Sequence, residues 1–199
     1  MKKNSTRQFS IKEIYWITVK AFCSTKYLVM NRKNNYINHQ FVERIMLAVT
    51  QVNECEACSF AHAKMAIDAG LSESEINNLL SGMNDDVPKE QLKAVLFAQH
   101  YAENVGKASL QTWQKIVTEY GNNAALSILA SIRMIMMGNA YGIPFSLLIN
   151  RFKKDRNKDE RSNLFYEIST ILISILIIPV SAIHAFINCL SGYKYVDFK

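Results

Sequence analysis

Seven glycines and three prolines are all the cheap chain breakers that this 199-residue sequence contains. Sheets joined by tight turns use such residues freely, so their scarcity favours long helices with short connections. Local signals agree. Ser72 followed by Glu75 reads as a capping box, Gly70 stands where a helix-terminating glycine belongs, and Pro88 suits a first helical turn. Apolar periodicity then predicts helices from Ile11 to about Leu28, Asn38 to Val52, Cys55 to Ala69, Ser72 to Leu80, Pro88 to Gly106, and across 109–121 and 122–137. The polar run NRKNN at 31–35 is expected to break the first helix, and GNAYGIP at 138–144 to close the last. The expected fold class is all-α, with a compact helical domain followed by a C-terminal hydrophobic helix.

The organisation expected along the chain is an N-terminal helical segment at 1–35, a main domain at 36–150, a basic linker at 151–163 and a hydrophobic helix at 164–191. Ile168 to Leu190 holds no Asp, Glu, Lys or Arg in 23 positions. That approaches the roughly 20 apolar residues that cross a bilayer as helix. Six Lys/Arg in 151–161 precede it, whereas Lys194 and Lys199 follow it. This bias orients an anchor with the domain on the cytoplasmic side. His184 inside the stretch and Pro179 near its middle fit a bilayer less well. The rival expectation folds the helix over a neighbouring protomer, burying Ile171, Ile175 and Ile178.

The net charge of +6 sits largely in Lys2, Lys3, Arg7 and the 151–161 segment. Neither stretch interleaves aromatics with basic residues, so nucleic acid is not expected as a partner. The first apolar stretch, IYWITV at 14–19, is cut short by Lys20, too short a run for a signal-peptide core. A cytoplasmic, reducing location is expected. There, a Cys-x-x-Cys pair is more often catalytic or metal-binding than structural.

That pair is Cys55 and Cys58, in CEACSFAH at 55–62. At 100° per residue, Cys55, Cys58 and His62 project from one helical face within about 60°. The i, i+3 spacing suits a disulfide or a shared metal, and the i, i+4 step brings His62 toward Cys58. A helix N-terminus and a nearby imidazolium both favour a thiolate, and a neighbouring thiol can resolve an oxidised sulfur. Cys23 and Cys189, each alone, read as small buried hydrophobes.

The stretch FVERIMLAVTQVNECEACSFAHAKMA at 41–66 resembles the core motif of the carboxymuconolactone decarboxylase superfamily. Within it, Glu43, eleven residues and then Cys55, Cys58 and His62 resemble the alkylhydroperoxidase D branch. AIDAGLSESEINNLLSG and NAYGIP resemble the continuation, and the likeness spans about 36–150. It implies an enzyme, a thiol peroxidase or disulfide oxidoreductase reducing organic hydroperoxides without a cofactor. Cys58 would be the peroxidatic cysteine, and Cys55 would resolve it and exchange with the reductant. His62 would shuttle the proton, with Glu43 orienting His62 and relaying. The implied partners are a hydroperoxide and a thiol or dithiol reductant protein of lipoyl, thioredoxin or peroxiredoxin type. The implied assembly is a homo-oligomer. Ala57 departs from relatives that carry a His before the second cysteine. Decarboxylases of the superfamily lack the paired cysteines, which disfavours lactone decarboxylation. Two alternatives remain: a zinc-binding module using Cys55, Cys58, His62 and Glu43, and a membrane-tethered, non-catalytic member.

Overall fold

The computed structural model describes residues 7–152, 162–191 and 198. Lys2, Lys3 and most of the basic linker, residues 153–161, lie outside them. Among the described residues there are helices and no strands: α1 Ile11–Asn34, α2 His39–Asn53, α3 Glu56–Asp68, α4 Glu73–Ser81, α5 Lys89–Glu103, α6 Leu110–Arg151 and α7 Leu164–Leu190.

Caps fix most of the starts. Ser10 and Glu13 form a full capping box at α1. Asn38 accepts from the Phe41 amide at α2. Ser72 accepts from the Glu75 amide at 3.1 Å. The Glu75 carboxylate, however, turns to the buried Arg44 at 2.5 Å, so the box at α4 is one-sided. A buried guanidinium competes better for that carboxylate than a solvated backbone amide does.

Two expected helix ends are corrected. NRKNN does not break α1, which continues through Asn34 and stops at Asn35 in the left-handed conformation. Asn31 stays helical while its side chain bonds both the Ile37 amide and carbonyl. GNAYGIP does not close a helix either, because α6 runs through Gly138, Gly142 and Pro144 to Arg151. The real interruption is at Gly121, whose φ of 76° kinks α6. That conformation costs glycine little and other residues much.

Helix α6 is the central element, touching α1, α2, α3, α5 and α7. Its buried Ile128, Ile132, Met136 and Ile143 meet Ile14 and Ile17 of α1, Phe41 and Ile45 of α2 and Tyr101 of α5 in one core. A smaller core lies under α4, built on Leu47, Ile76, Leu79 and Val95. Helix α1 is therefore part of the domain's core.

Helix α7 folds back along α1 and α6 of its own chain. Its buried side is Glu167, Thr170, Ile177, Ser181 and Ala185. Glu167 pairs with Arg151 at 2.5 Å, and His184 bonds the Tyr15 hydroxyl at 2.6 Å. Ile175 and Ile178 face away from this chain's own core. Docking thus includes polar residues of α7, and the domain supplies partners to Glu167 and His184 among them.

Candidate active site

The site is assembled at the junction of α2 and α3 and is roofed by α6. Glu54, in the left-handed conformation at φ 55°, ends α2, and Cys55 is already the N-cap of α3. So short a link needs its ends fixed. Buried Asn53 donates to the Asn139 side chain of α6 at 3.0 Å, and Asn139 donates to Thr50 at 3.2 Å. A closed polar network of this kind inside a core sets one arrangement of α2 against α6.

Cys55 and Cys58 are joined by a disulfide, with Cα atoms 5.3 Å apart. Cys55 is fully buried, whereas Cys58 is partly exposed, so Cys58 is the accessible sulfur, which runs against the expectation that Cys55 exchanges with a reductant. Sequence reasoning missed what lies over the pair. A Cβ on Gly142 would stand 2.8 Å from both sulfurs, so the bare backbone of α6 rests on the disulfide. One turn on, the Ser146 hydroxyl accepts the Ala57 amide at 3.3 Å. One turn further, Asn150 donates to the Glu56 carboxylate at 2.6 Å. Gly142, Ser146 and Asn150 recur at i, i+4 and i+8, and that spacing of small and polar residues is the signal that could have marked them.

Behind the dithiol, the Glu43 carboxylate lies 2.8 Å from Nδ1 of His62, one turn beyond Cys58 on α3. Glu43 is 1% exposed, so it does not make the surface pairing with Arg44 or Lys64 that an isolated glutamate would suggest. Its second oxygen faces Nε2 of His39 at 3.3 Å, and His39 is exposed. A carboxylate buried this deeply is costly unless paired, and two imidazoles pair it here. With Nδ1–H given to Glu43, Nε2 of His62 is left to take or deliver a proton. His39 was not singled out from the sequence, although its i, i+4 spacing to Glu43 is legible.

The two remaining thiols differ from the pair. Burial pushes the Cys23 thiol above its ordinary range, and nearby Arg133 only partly offsets this. Cys23 is half-buried and Cys189 is exposed, which corrects the expectation that both are buried. No three His, Cys, Asp or Glu side chains converge as metal ligands among the described residues. The four residues of the zinc alternative are instead divided into a disulfide and a Glu–His pair.

Residues 18–100 match the model of the carboxymuconolactone decarboxylase family. Over these residues the chain is similar to that family. The match begins within α1 and ends within α5, so it contains Glu43, Cys55, Cys58 and His62 but not Gly142. Members of the carboxymuconolactone decarboxylase family include decarboxylases and peroxidases. Among curated proteins and solved structures, nothing matches the chain.

Proposed function

We propose that the protein is a dithiol peroxidase of the alkylhydroperoxidase D type, acting on organic hydroperoxides. The observation that carries this reading is a cysteine pair bonded at the first turn of α3, with His62 on the same helix paired to the buried Glu43 of α2. Redox chemistry needs an exchangeable dithiol, and hydroperoxide cleavage needs a proton for the leaving oxygen.

In the reduced protein, the Cys58 thiolate attacks the terminal oxygen of ROOH. The O–O bond breaks, the alkoxide takes a proton from His62, and Cys58 becomes a sulfenic acid. The Cys55 thiol then attacks that sulfur, releasing water and forming the Cys55–Cys58 disulfide. An external dithiol reduces the disulfide by attack at Cys58, the accessible sulfur, and leaves as its own disulfide. Backbone amides in the first turn of α3 stabilise the anion on Cys58 in both the first and last steps.

Ala57 removes the histidine that some relatives place between the cysteines. The relay therefore runs from His62 through Glu43 to His39, whose exposed ring exchanges protons with water. A reductant protein of lipoyl, thioredoxin or peroxiredoxin type closes the cycle, and the homo-oligomer of related domains is the proposed assembly.

The test is consumption of cumene hydroperoxide by the full chain with dihydrolipoamide as donor, followed as loss of peroxide. Turnover that stops when Cys55 and Cys58 are alkylated supports the proposal. A disulfide that cycles with donor while peroxide is untouched would assign the chain to disulfide reduction alone.

A further inference from the structure

Helix α7 turns most of its large apolar side chains outward and buries Glu167, Thr170 and Ser181 beside Ile177, an unusual division for a helix that covers a soluble core. Leu172, Leu176, Ile183, Phe186 and Leu190 are each more than half exposed. At 100° per residue they fall within about 80° of arc, along a helix of about 40 Å. Glu167, Thr170, Ile177, Ser181 and Ala185, on the opposite side, are buried against the domain. An apolar strip of this length and continuity is not what a soluble surface leaves to water.

Three observations choose the occupant. No Asp, Glu, Lys or Arg interrupts Ile168 to Leu190, although salt bridges and polar groups commonly rim protein interfaces. Six Lys/Arg against three Asp/Glu immediately precede the helix in sequence, on a chain of net charge +6. This favours an anionic surface over a second copy of like charge. The third is the border of the strip: Trp16 of α1, partly exposed, packs its ring on His184 of α7 at 5.7 Å. Trp16 also lines a cleft of about 510 Å³ that includes Lys12, Lys20 and Lys107. An aromatic ring beside lysines is the pattern of a bilayer headgroup region.

The same contacts decide how the helix would meet lipid. Its N-terminal end is tied to the domain by Glu167–Arg151 and its later turns by His184–Tyr15. Beyond it, Phe198 stacks on Trp113 of α6 with ring centroids 5.0 Å apart. A helix crossing the bilayer would have to give up these ties and place His184 in hydrocarbon.

We propose that the outer face of α7 seats the domain in one leaflet of an anionic bilayer, with the helix lying in the membrane plane and still docked on α1. This seat does not depend on the chemistry assigned to the dithiol.

Flotation of the full chain with sealed vesicles tests it, comparing phosphatidylcholine alone with phosphatidylcholine containing one quarter phosphatidylglycerol. The expected result is co-flotation with the anionic vesicles and weaker flotation with the neutral ones. The Leu172→Glu/Leu176→Glu variant should lose at least about tenfold in partitioning. Ile183→Glu, on the same arc, should show the loss independently, and both variants should keep wild-type helical circular dichroism. A C-terminal peptide tag should stay open to protease added outside the vesicles. Four results would overturn the seat: wild-type protein left unbound, variants that float like wild type, equal binding to neutral vesicles, or a tag protected from protease. A molar mass that halves in the variants without any vesicle binding would overturn it too, giving the face to a second copy.

Discussion

Replacing Gly142 with alanine puts a methyl group where the structure has none to spare. The added Cβ would lie 2.8 Å from the sulfurs of both Cys55 and Cys58. An ordinary contact needs about 3.5–4.0 Å, so about 0.7–1.2 Å must open at two atoms together. In the dithiol form each sulfur can rotate away about its own Cα–Cβ bond. In the disulfide the two are tied and must move with α3 or push α6. Forcing one methyl into a packed site costs about 1–3 kcal/mol, and here that cost falls on the oxidised form. The gain from alanine over glycine within a helix, about 1 kcal/mol, is common to both forms and cancels. At about 30 mV per 1.4 kcal/mol for a two-electron couple, Gly142→Ala should make the pair more oxidising by about 20–60 mV. The assay is equilibration of each protein in glutathione buffers of graded ratio, followed by acid quench, alkylation and mass spectrometry. A midpoint that stays put, or moves to more reducing potential, would show that α6 does not hold the sulfurs as described.

Other substitutions probe the remaining parts. Glu43→Gln and His62→Ala should each slow peroxide consumption by about 10²-fold, the scale of positioned proton transfer, and unchanged turnover in Glu43→Gln would remove that carboxylate from the relay. His39→Ala, at the solvent end, should cost about tenfold or less, since water can replace an exposed imidazole. With the disulfide intact, Cys189 should react with iodoacetamide ahead of Cys23. Burial disfavours the Cys23 thiolate, so its labelling should set in only at a pH above that of a free cysteine, near 8.5; equal rates for both thiols would contradict this. Arg44→Ala leaves the buried Glu75 carboxylate without its guanidinium and should cost about 3 kcal/mol or more, read as a lower urea midpoint at unchanged slope.

What the sequence disclosed and what it hid divide along physical lines. The cysteine pair, His62 and the bounds of α2 and α3 were legible because they rest on spacing within a helix and on local caps such as Asn38 and Gly70. Glu43 was legible only through its resemblance to a motif, since a lone glutamate is usually a surface charge. Gly138, Gly142 and Pro144 read as a stop, and they are interior to α6. Local propensity there yields to packing, and Gly142 is small because the disulfide occupies the space a side chain would need. The asparagines near residue 31 read as a break, yet they end a solvated helix, where polar residues cost little. Helix α7 was legible as an apolar helix. The polar members of its docking side, Glu167, Thr170 and Ser181, stand in the sequence at helical spacing, but only the fold shows that α1 and α6 receive it.

The central claim is that one sulfur attacks and the other resolves. The most direct measurement is single-turnover oxidation of the reduced protein by a stoichiometric hydroperoxide, with the sulfenic acid trapped by dimedone and weighed by mass spectrometry. The account predicts that Cys55→Ser consumes one equivalent of peroxide and carries the dimedone adduct on Cys58, then stops, whereas Cys58→Ser consumes none. Equal consumption by both variants, or an adduct on Cys55 alone, would contradict it.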